Sequence, residues 1–294
     1  MNGVVVVDKP GGWTSHDVVA RLRRIYGTKR VGHTGTLDPL ATGVLVVCLG
    51  QATRIVEYLT AESKEYIAGV TFGITTDSQD STGVTLSESD ASSLTEDAVQ
   101  SALSGFRGSI LQTPPMVSAL HHEGKRLYEL ARQGIEVERK ARPVEIHTLE
   151  MNGFKPGAHA KAQLRVECST GTYIRTLAAD IGDALGVGGM MDSLRRTRVG
   201  VFTLADAYSL ETLAELSEAG RLPETLRTIP CALKNWPRAT LSEFEIERIR
   251  RGQSVTQSVA DEDEKVLLLD STEEPIALAR QSEGQLAPFK VFVG

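Results

Sequence analysis

The twelve residues 32–43, GHTGTLDPLATG, most constrain what this chain can fold into, because they hold three glycines and three threonines around one carboxylate, Asp38. Glycine adopts backbone conformations that other residues avoid, so the segment predicts a loop. Pro39 biases Asp38 away from the helical conformation. The apolar run at 44–49 indicates a buried strand directly after the loop. A carboxylate on a loop rooted in a buried strand is a common way to place a catalytic group, although Asp38 alone could equally cap a turn.

The length and cysteine content favour a cytoplasmic protein with an ordinary core. The 294 residues allow one large domain plus a small one, or two domains. No run approaches the apolar length that crosses a membrane, and Asp8 interrupts the apolar stretch at 4–7, so we expect neither a membrane span nor a signal peptide. Three distant cysteines without a CxxC pattern argue against disulfides and zinc sites.

The charge distribution says more than the net charge of −6, which taken alone argues against a nucleic-acid partner. Residues 65–106 contain no lysine or arginine, and residues 261–264 read DEDE, so the acidity is concentrated. A basic surface can therefore coexist with a negative total. The same charges could also be plain solvated surface.

Three further motifs accompany the Asp38 loop. KPGGWTSHDVV at 9–19 predicts a turn followed by a helix capped by Ser15. GTYIRTLAADIG at 171–182 starts a helix with Tyr173 and Arg175 off its apolar face, and SLRRTRVG at 193–200 carries three arginines. Tyr66, in the predicted strand KEYIAGVTFG, could be a core aromatic, Arg175 a surface ion pair, and 195–198 an exposed basic strand.

These motifs, in this order across residues 4–201, resemble the TruB family of RNA pseudouridine synthases. The resemblance implies an α+β pseudouridine synthase fold at 1–234, a mixed and largely antiparallel sheet with flanking helices. It also implies an RNA-clamping flap at about 107–142, with a short helix predicted at 126–133. The flap departs from the family at Val117, where tyrosine is common, and at His121, where lysine is common. Residues 235–294 resemble, more weakly, a β-rich PUA-like RNA-binding domain.

The implied activity is isomerisation of uridine 55 in the TΨC loop of tRNA to pseudouridine. Asp38 would be the nucleophile or base, and Arg175 would pair with it. His33 would pack beside the flipped-base stack. The residues expected to contact the uracil are Tyr66, Tyr173 and Leu194. The residues expected to contact the RNA backbone are Lys9, Arg21, Arg195 and Arg196. The resemblance implies the T-arm of tRNA as partner, a monomer that needs no guide RNA, and no cofactor or metal.

Other functions compete with this interpretation. A non-catalytic RNA-binding or RNA-folding module would bind RNA without needing Asp38. A glycoside- or nucleoside-cleaving enzyme normally needs a second positioned carboxylate. No strong motif for such a partner appears. Asp77 and Asp80 are alternative carboxylates to Asp38, but they lie in a polar segment, 74–87, that predicts a loop and favours turn residues. No GxxxxGK[ST] run supports a nucleotide-triphosphate enzyme.

Overall fold

The structure, a computed structural model, describes residues 1–118, 121–122, 124–126, 134–135 and 137–292. Most of the helix predicted at 126–133 lies outside these described residues. The strands are β1 (Gly3–Lys9), β2 (Val31–His33), β3 (Thr42–Leu49), β4 (Lys64–Phe72), β5 (Ile74–Thr76), β6 (Thr85–Glu88), β7 (Gly108–Gln112), β8 (His121–His122), β9 (Lys125–Arg126), β10 (Arg142–Lys155), β11 (Lys161–Cys168), β12 (Gly189–Val199), β13 (Phe202–Thr203), β14 (Arg238–Thr240), β15 (Val255–Thr256), β16 (Lys265–Leu269), β17 (Pro275–Ser282) and β18 (Gln285–Val291).

Short helices flank these strands. The α-helices are α1 (Ser15–Ile25), α2 (Val56–Ala61), α3 (Glu96–Leu103), α4 (Ile174–Ala184), α5 (Leu210–Glu218), α6 (Ile229–Ala232) and α7 (Glu243–Arg250). The 3-10 helices are Gly50–Ile55, Ser104–Phe106, Leu204–Asp206 and Leu222–Thr225. No helix among the described residues is long and apolar enough to cross a membrane.

The main sheet has the order β1-β3-β12-β4-β11-β10-β7, with β2 added on β3 and β13 on β12. The β3–β12 pair is parallel, and the other pairs are antiparallel. This confirms the expected mixed, largely antiparallel α+β fold. On β4, alternate side chains pack into one core with α4: Tyr66, Ala68, Val70 and Phe72. Both β1 and β3 are buried on both faces, as their continuous apolar runs predict.

A second sheet follows the connector at 222–236, with the order β14-β16-β17-β18-β15. The expected β-rich C-terminal part is therefore confirmed, and it is consistent with a PUA-like domain. Its one longer helix, α7, begins with the predicted capping box of Ser242 and Glu245. Leu267 and Leu278 of this sheet share a hydrophobic cluster with Val4 and Val46 of the main sheet. The domain limit at 234/235 stays a prediction.

Two local predictions were wrong. The polar segment at 74–87 is not a plain loop, because β5 and β6 pair antiparallel within it. Ser15 is not the cap of α1, because Thr14 takes that position in a capping box with Asp17. Ser15 is instead the first helical residue and is completely buried. Both differences change the composition of the candidate site.

Candidate active site

Asp38 lies on the loop that joins β2 to β3, two strands paired with His33 opposite Val47. The loop is fastened to the sheet by the backbone N–H of Thr34, which donates to Val46 O at 3.1 Å. The turn at Asp38 is closed by the N–H of Ala41, which donates to Asp38 O at 3.0 Å. The loop predicted from its glycines and threonines is therefore an ordered connection between two strands.

Residues 9–15 hold the backbone on both sides of Asp38. The buried Ser15 hydroxyl accepts from the N–H of Leu37 at 2.8 Å and donates to Leu37 O at 3.1 Å. On the other side, Pro39 O accepts from the N–H of Gly12 at 2.8 Å and from Lys9 Nζ at 3.4 Å. This pair of attachments, which we call the loop clamp, fixes both neighbours of Asp38.

The Lys9 ammonium is completely buried and also donates to Trp13 O at 2.6 Å and to Pro10 O at 2.9 Å. Burial lowers the pKa of Lys9 to about 8, with Asp38 opposing this shift and Arg196 adding to it. The prediction that Lys9 contacts the RNA backbone is therefore corrected. A fully buried ammonium that bonds three carbonyls supports the loop and cannot reach a phosphate.

Arg196 requires the same correction, because its side chain is 1% exposed. Its guanidinium donates to Val44 O at 2.6 Å through Nε and to Gly35 O at 3.2 Å through Nη2. Its backbone lies so close to Gly43 that a Cβ there would stand 2.2 Å from Arg196 O. Only glycine fits that position, where φ is also +98°.

The other two predicted backbone contacts stay predictions, because both arginines are exposed. Arg195 forms an ion pair with Asp8 at 2.8 Å. Arg21 projects from α1 into a surface groove. Neither residue takes part in the loop clamp.

Arg175, in the first turn of α4, brings two carboxylates together. Its Nη2 lies 2.7 Å from Asp38 Oδ2, and its Nη1 lies 3.6 Å from Asp80 Oδ2. The Arg175 and Asp80 side chains are 6% and 5% exposed, whereas that of Asp38 is 36% exposed. The alternative that Arg175 forms a surface ion pair is therefore wrong. Of the two carboxylates, Asp38 is the one open to a ligand.

Asp80, which the sequence favours as a turn residue, is a further functional candidate because it lies beside Arg175. Its Oδ1 accepts from the hydroxyl of Ser78 at 2.8 Å and from the backbone N–H of Thr82 at 2.9 Å. The turn is attached to β12 because the N–H of Met191 donates to Gln79 O at 3.0 Å. Serine and threonine around an aspartate are typical of any turn, so no local signal distinguished this residue.

The charges around Asp38 oppose one another. Burial raises the pKa of the Asp38 carboxyl, and the neighbouring Asp80 raises it further, while Arg175 and Lys9 lower it. The protein therefore places a carboxylate where its proton is held more tightly than usual, and then offsets this effect with two cations. Such opposing shifts are common where a group takes part in chemistry.

A cavity of about 270 Å³ opens above Asp38. Its walls include the three predicted base contacts, Tyr66, Tyr173 and Leu194, together with Met191 and Ile174. Burial raises the pKa of both tyrosines, so their hydroxyls stay protonated at neutral pH. The structure thus gathers these residues and Arg175 around Asp38. A small cavity with apolar walls and a charged floor suits one planar ring.

Hydrogen bonds hold the walls of the cavity. The side-chain amide of Gln112 accepts from the N–H of Tyr173 at 2.7 Å and donates to Tyr173 O at 3.0 Å. Lys64, which the sequence argument also missed, lines the cavity and donates through Nζ to Thr60 O at 2.7 Å and Glu62 O at 2.6 Å. Burial lowers the pKa of Lys64 to about 8.

His33 stands beside the cavity at the start of the Asp38 loop. Its Nδ1 accepts from the N–H of Gly35 at 3.3 Å, and its ring meets that of His16 edge-on at 5.8 Å between centroids. Burial lowers the pKa of His33, which agrees with an unprotonated Nδ1 that accepts this bond. Among the described residues, no group of three or more histidine, cysteine or carboxylate side chains is placed to hold a metal ion.

Comparisons with known proteins show which family and which relatives the chain resembles. Residues 23–174 match the family described as TruB family pseudouridylate synthase (N terminal domain), and residues 175–230 match the tRNA pseudouridylate synthase B C-terminal domain. The chain is 44% identical to tRNA pseudouridine synthase B of Saccharophagus degradans, over 98% of this chain and 95% of the relative. It is 50% identical to the protein of the same name from Symbiobacterium thermophilum, over 86% and 82%.

A solved structure has a similar fold. A chain in the structure of an H/ACA RNP bound to a substrate RNA containing 2'-deoxyuridine superposes with a TM-score of 0.77 at 26% identity. The match covers 99% of this chain and 85% of that chain. The similarity in fold therefore extends over both sheets.

Proposed function

The chain belongs to the TruB family of pseudouridylate synthases, and on that premise we propose that it converts uridine 55 in the TΨC loop of tRNA to pseudouridine. The observation that carries the proposal is the Asp38 carboxylate, 2.7 Å from the Arg175 guanidinium, at the floor of a cavity walled by Tyr66, Tyr173 and Leu194. The substrate class is supported by the names of the relatives, which are tRNA pseudouridine synthases.

The reaction breaks the bond between the sugar and a ring nitrogen of uracil and forms a bond between the same sugar carbon and a ring carbon. It is redox-neutral and consumes no water. Asp38 either attacks the sugar or removes its proton. Arg175 engages Oδ2 of Asp38 through a charge-assisted hydrogen bond, which leaves Oδ1 as the oxygen proposed to react. That bond also favours the ionised carboxylate and so opposes the effect of burial on the pKa of Asp38.

The cavity is the proposed binding site of the uracil base. A uracil inside a folded RNA loop must swing out of its stack to reach a carboxylate. Tyr66, Tyr173 and Leu194 then supply the ring and apolar contacts on which recognition of unpaired RNA bases depends. His33, held by Gly35 at the edge of the loop, would pack beside the vacated stack.

The rest of the proposal concerns the RNA outside the cavity. We propose residues 1–234 as the catalytic domain, 107–142 as a flap over the RNA, and 235–294 as a PUA-like RNA-binding domain. Arg21 and Arg195 are the proposed backbone contacts that remain after Lys9 and Arg196 are assigned to the loop. No guide RNA or cofactor is part of the proposal, and the cytoplasmic location and monomeric state stay predictions.

The test is pseudouridine formation in a transcribed tRNA T-arm, without guide RNA, by the wild type and by Asp38→Asn at equal RNA occupancy. We expect product from the wild type alone. Product from both proteins would move the chemistry away from Asp38. Binding without product from either would favour an RNA-folding module, and release of free uracil would indicate a nucleoside-cleaving enzyme.

A further inference from the structure

A surface groove of about 620 Å³ begins beside the Asp38 loop and runs along α1. Its lining residues come from the segment before α1, from one face of α1 and from the start of α5: Gly12, Trp13, Asp17, Ala20, Arg21, Arg24, Leu210 and Glu211. Gly12 joins the groove to the site directly, because its N–H donates to Pro39 O, next to Asp38. A ligand in the groove would therefore lie against the loop clamp.

Trp13 presents an aromatic surface from a fixed backbone. Trp13 is one of two tryptophans in the chain and is 39% exposed. Its carbonyl accepts from the buried Lys9 ammonium at 2.6 Å, and the next residue, Thr14, is the cap of α1. An exposed indole on so rigid a base loses little freedom when a planar ligand stacks on it.

The groove lining holds two arginines, Arg21 and Arg24, and two carboxylates, Asp17 and Glu211. Arg21 and Arg24, one turn apart on α1, line the groove and are exposed. Such a pair on one helix face suits consecutive phosphates.

The two carboxylates in the groove are engaged locally. Asp17 accepts from the hydroxyl of Thr14 at 2.6 Å and from its N–H at 2.9 Å. Hydrogen bonds at the start of α5, from its own backbone and from Ser209, lower the pKa of Glu211, and Arg21 adds a smaller effect. Both acids are therefore committed to helix starts, which leaves Arg24 in particular open to a phosphate.

We propose that this groove is a second contact for the RNA substrate, in which an unpaired nucleotide stacks on Trp13 while adjacent phosphates pair with Arg21 and Arg24. The inference rests on the proposed function and names a place for RNA outside the uracil cavity. Stacking on an aromatic side chain combined with phosphate contacts to arginine is the usual chemistry for binding unpaired RNA.

The first experiment uses Trp13 as its own reporter. In Asp38→Asn/Trp236→Phe, Trp13 is the sole tryptophan and the RNA is not turned over, and phenylalanine keeps the aromatic contact of Trp236 with Tyr58. We expect the T-arm transcript to quench the Trp13 fluorescence. The quenching curve should give the same apparent Kd as a binding curve measured by the anisotropy of labelled RNA. Unchanged fluorescence while anisotropy reports full binding would overturn the inference and leave the proposed function intact.

The second experiment separates binding from chemistry. Trp13→Ala should raise KM for the T-arm about tenfold with kcat retained, and Trp13→Phe should restore most of it. Arg24→Gln should weaken the dependence of log affinity on log salt by about one. Arg23→Gln is the matched control, because Arg23 lies on the same helix but outside the groove lining, and it should change neither quantity.

The contrary outcomes are distinct. A fall in kcat with KM unchanged in Trp13→Ala would mean that Trp13 only supports the loop clamp, and it would refute the groove. Equal effects of Arg23→Gln and Arg24→Gln would mean a diffuse basic surface, which also refutes it. Failure of the wild type to form pseudouridine would instead contradict the proposed function.

Discussion

The Asp38 loop and the β5–β6 hairpin both deliver a carboxylate to Arg175, but they treat it in opposite ways. The hairpin engages Oδ1 of Asp80 with hydroxyl and N–H donors from Ser78 and Thr82 and keeps the side chain 5% exposed. The loop fixes the backbone on both sides of Asp38 but leaves its side chain 36% exposed, held at one oxygen by Arg175. A buried carboxylate of this kind can position Arg175, whereas a carboxylate with a fixed backbone and an accessible oxygen can react.

The two regions also differ in what holds them. Buried polar groups from distant elements, among them Ser15, Lys9 and Arg196, hold the Asp38 loop. Residues within a few positions of Asp80 hold the Asp80 turn, which reaches the sheet through backbone bonds to Met191. The difference suggests that precision at Asp38 depends on several tertiary contacts, and that Asp80 acts through Arg175.

The largest expected effect comes from removing the shared partner. Arg175→Lys should lower kcat by about a thousandfold, because one ammonium cannot reach two carboxylates as a planar guanidinium does. Single-turnover pseudouridine formation measures the loss, and RNA binding should stay within about a factor of two. Nearly normal kcat in this variant would contradict the assignment of Arg175 as the group that holds both acids.

A smaller effect separates Asp80 from its neighbour. Asp80→Asn should lower kcat by about thirtyfold, since Arg175 loses one of its two charged partners. Asp77→Asn is the matched control on the same hairpin. The Asp77 carboxylate accepts a hydrogen bond from the N–H of Val84 at 2.8 Å, a contact within the hairpin. Equal losses in the two variants would indicate a general disturbance of the hairpin.

Two adjacent residues at the start of α1, the cap Thr14 and the first helical residue Ser15, allow a sharper test of the loop clamp. Ser15→Ala removes both hydrogen bonds to Leu37 and should lower kcat about tenfold without a comparable change in KM. Thr14→Ala removes the helix cap, so it should lower the free energy of unfolding by about 1 kcal/mol while kcat is retained. Denaturant unfolding and single-turnover rates, both measured on each variant, distinguish the two effects. The reverse pattern would refute the loop clamp.

The smallest effect is a shift in pH dependence. The proposed role of Asp38 needs its ionised form, and burial and Asp80 raise its pKa, so the acid limb should lie above the pH of an ordinary aspartate. In Asp80→Asn one raising contribution is gone, so the limb should move to lower pH. The measurement is the pH profile of kcat/KM for both proteins, and a shift to higher pH would contradict the sign.

Much of the site was predictable from sequence because its chemistry lies in contiguous motifs. Asp38 precedes a proline in a glycine-rich loop, and Arg175 and Tyr173 lie at a helix start off the apolar face. Those local features locate the loop and the helix without knowledge of the tertiary fold, whereas Leu194 was predicted from the resemblance to the family. The small C-terminal sheet was also predictable from its short apolar runs between turns.

The errors share a different cause. Lys9 and Arg196 were expected at the surface because lysine and arginine are rarely buried, and only the tertiary fold supplies the carbonyls that make burial possible here. Asp80 depends on a hairpin whose attachment to β12 crosses about a hundred residues, and no local pattern encodes such pairing. Ser15 lost its predicted cap role to Thr14, a shift of one residue that local propensity does not resolve.

The parallel pairing of β3 with β12, at Thr42 with Arg195 and Gly43 with Arg196, has a consequence for biosynthesis. The loop that carries Asp38 leaves the ribosome long before the strand and the arginines that complete it. At typical elongation rates the delay is roughly ten to thirty seconds. Through that interval the nascent chain lacks a competent centre, so the RNA-modifying activity begins only when almost the whole catalytic portion has been translated. A truncated product of an interrupted message would therefore be inert.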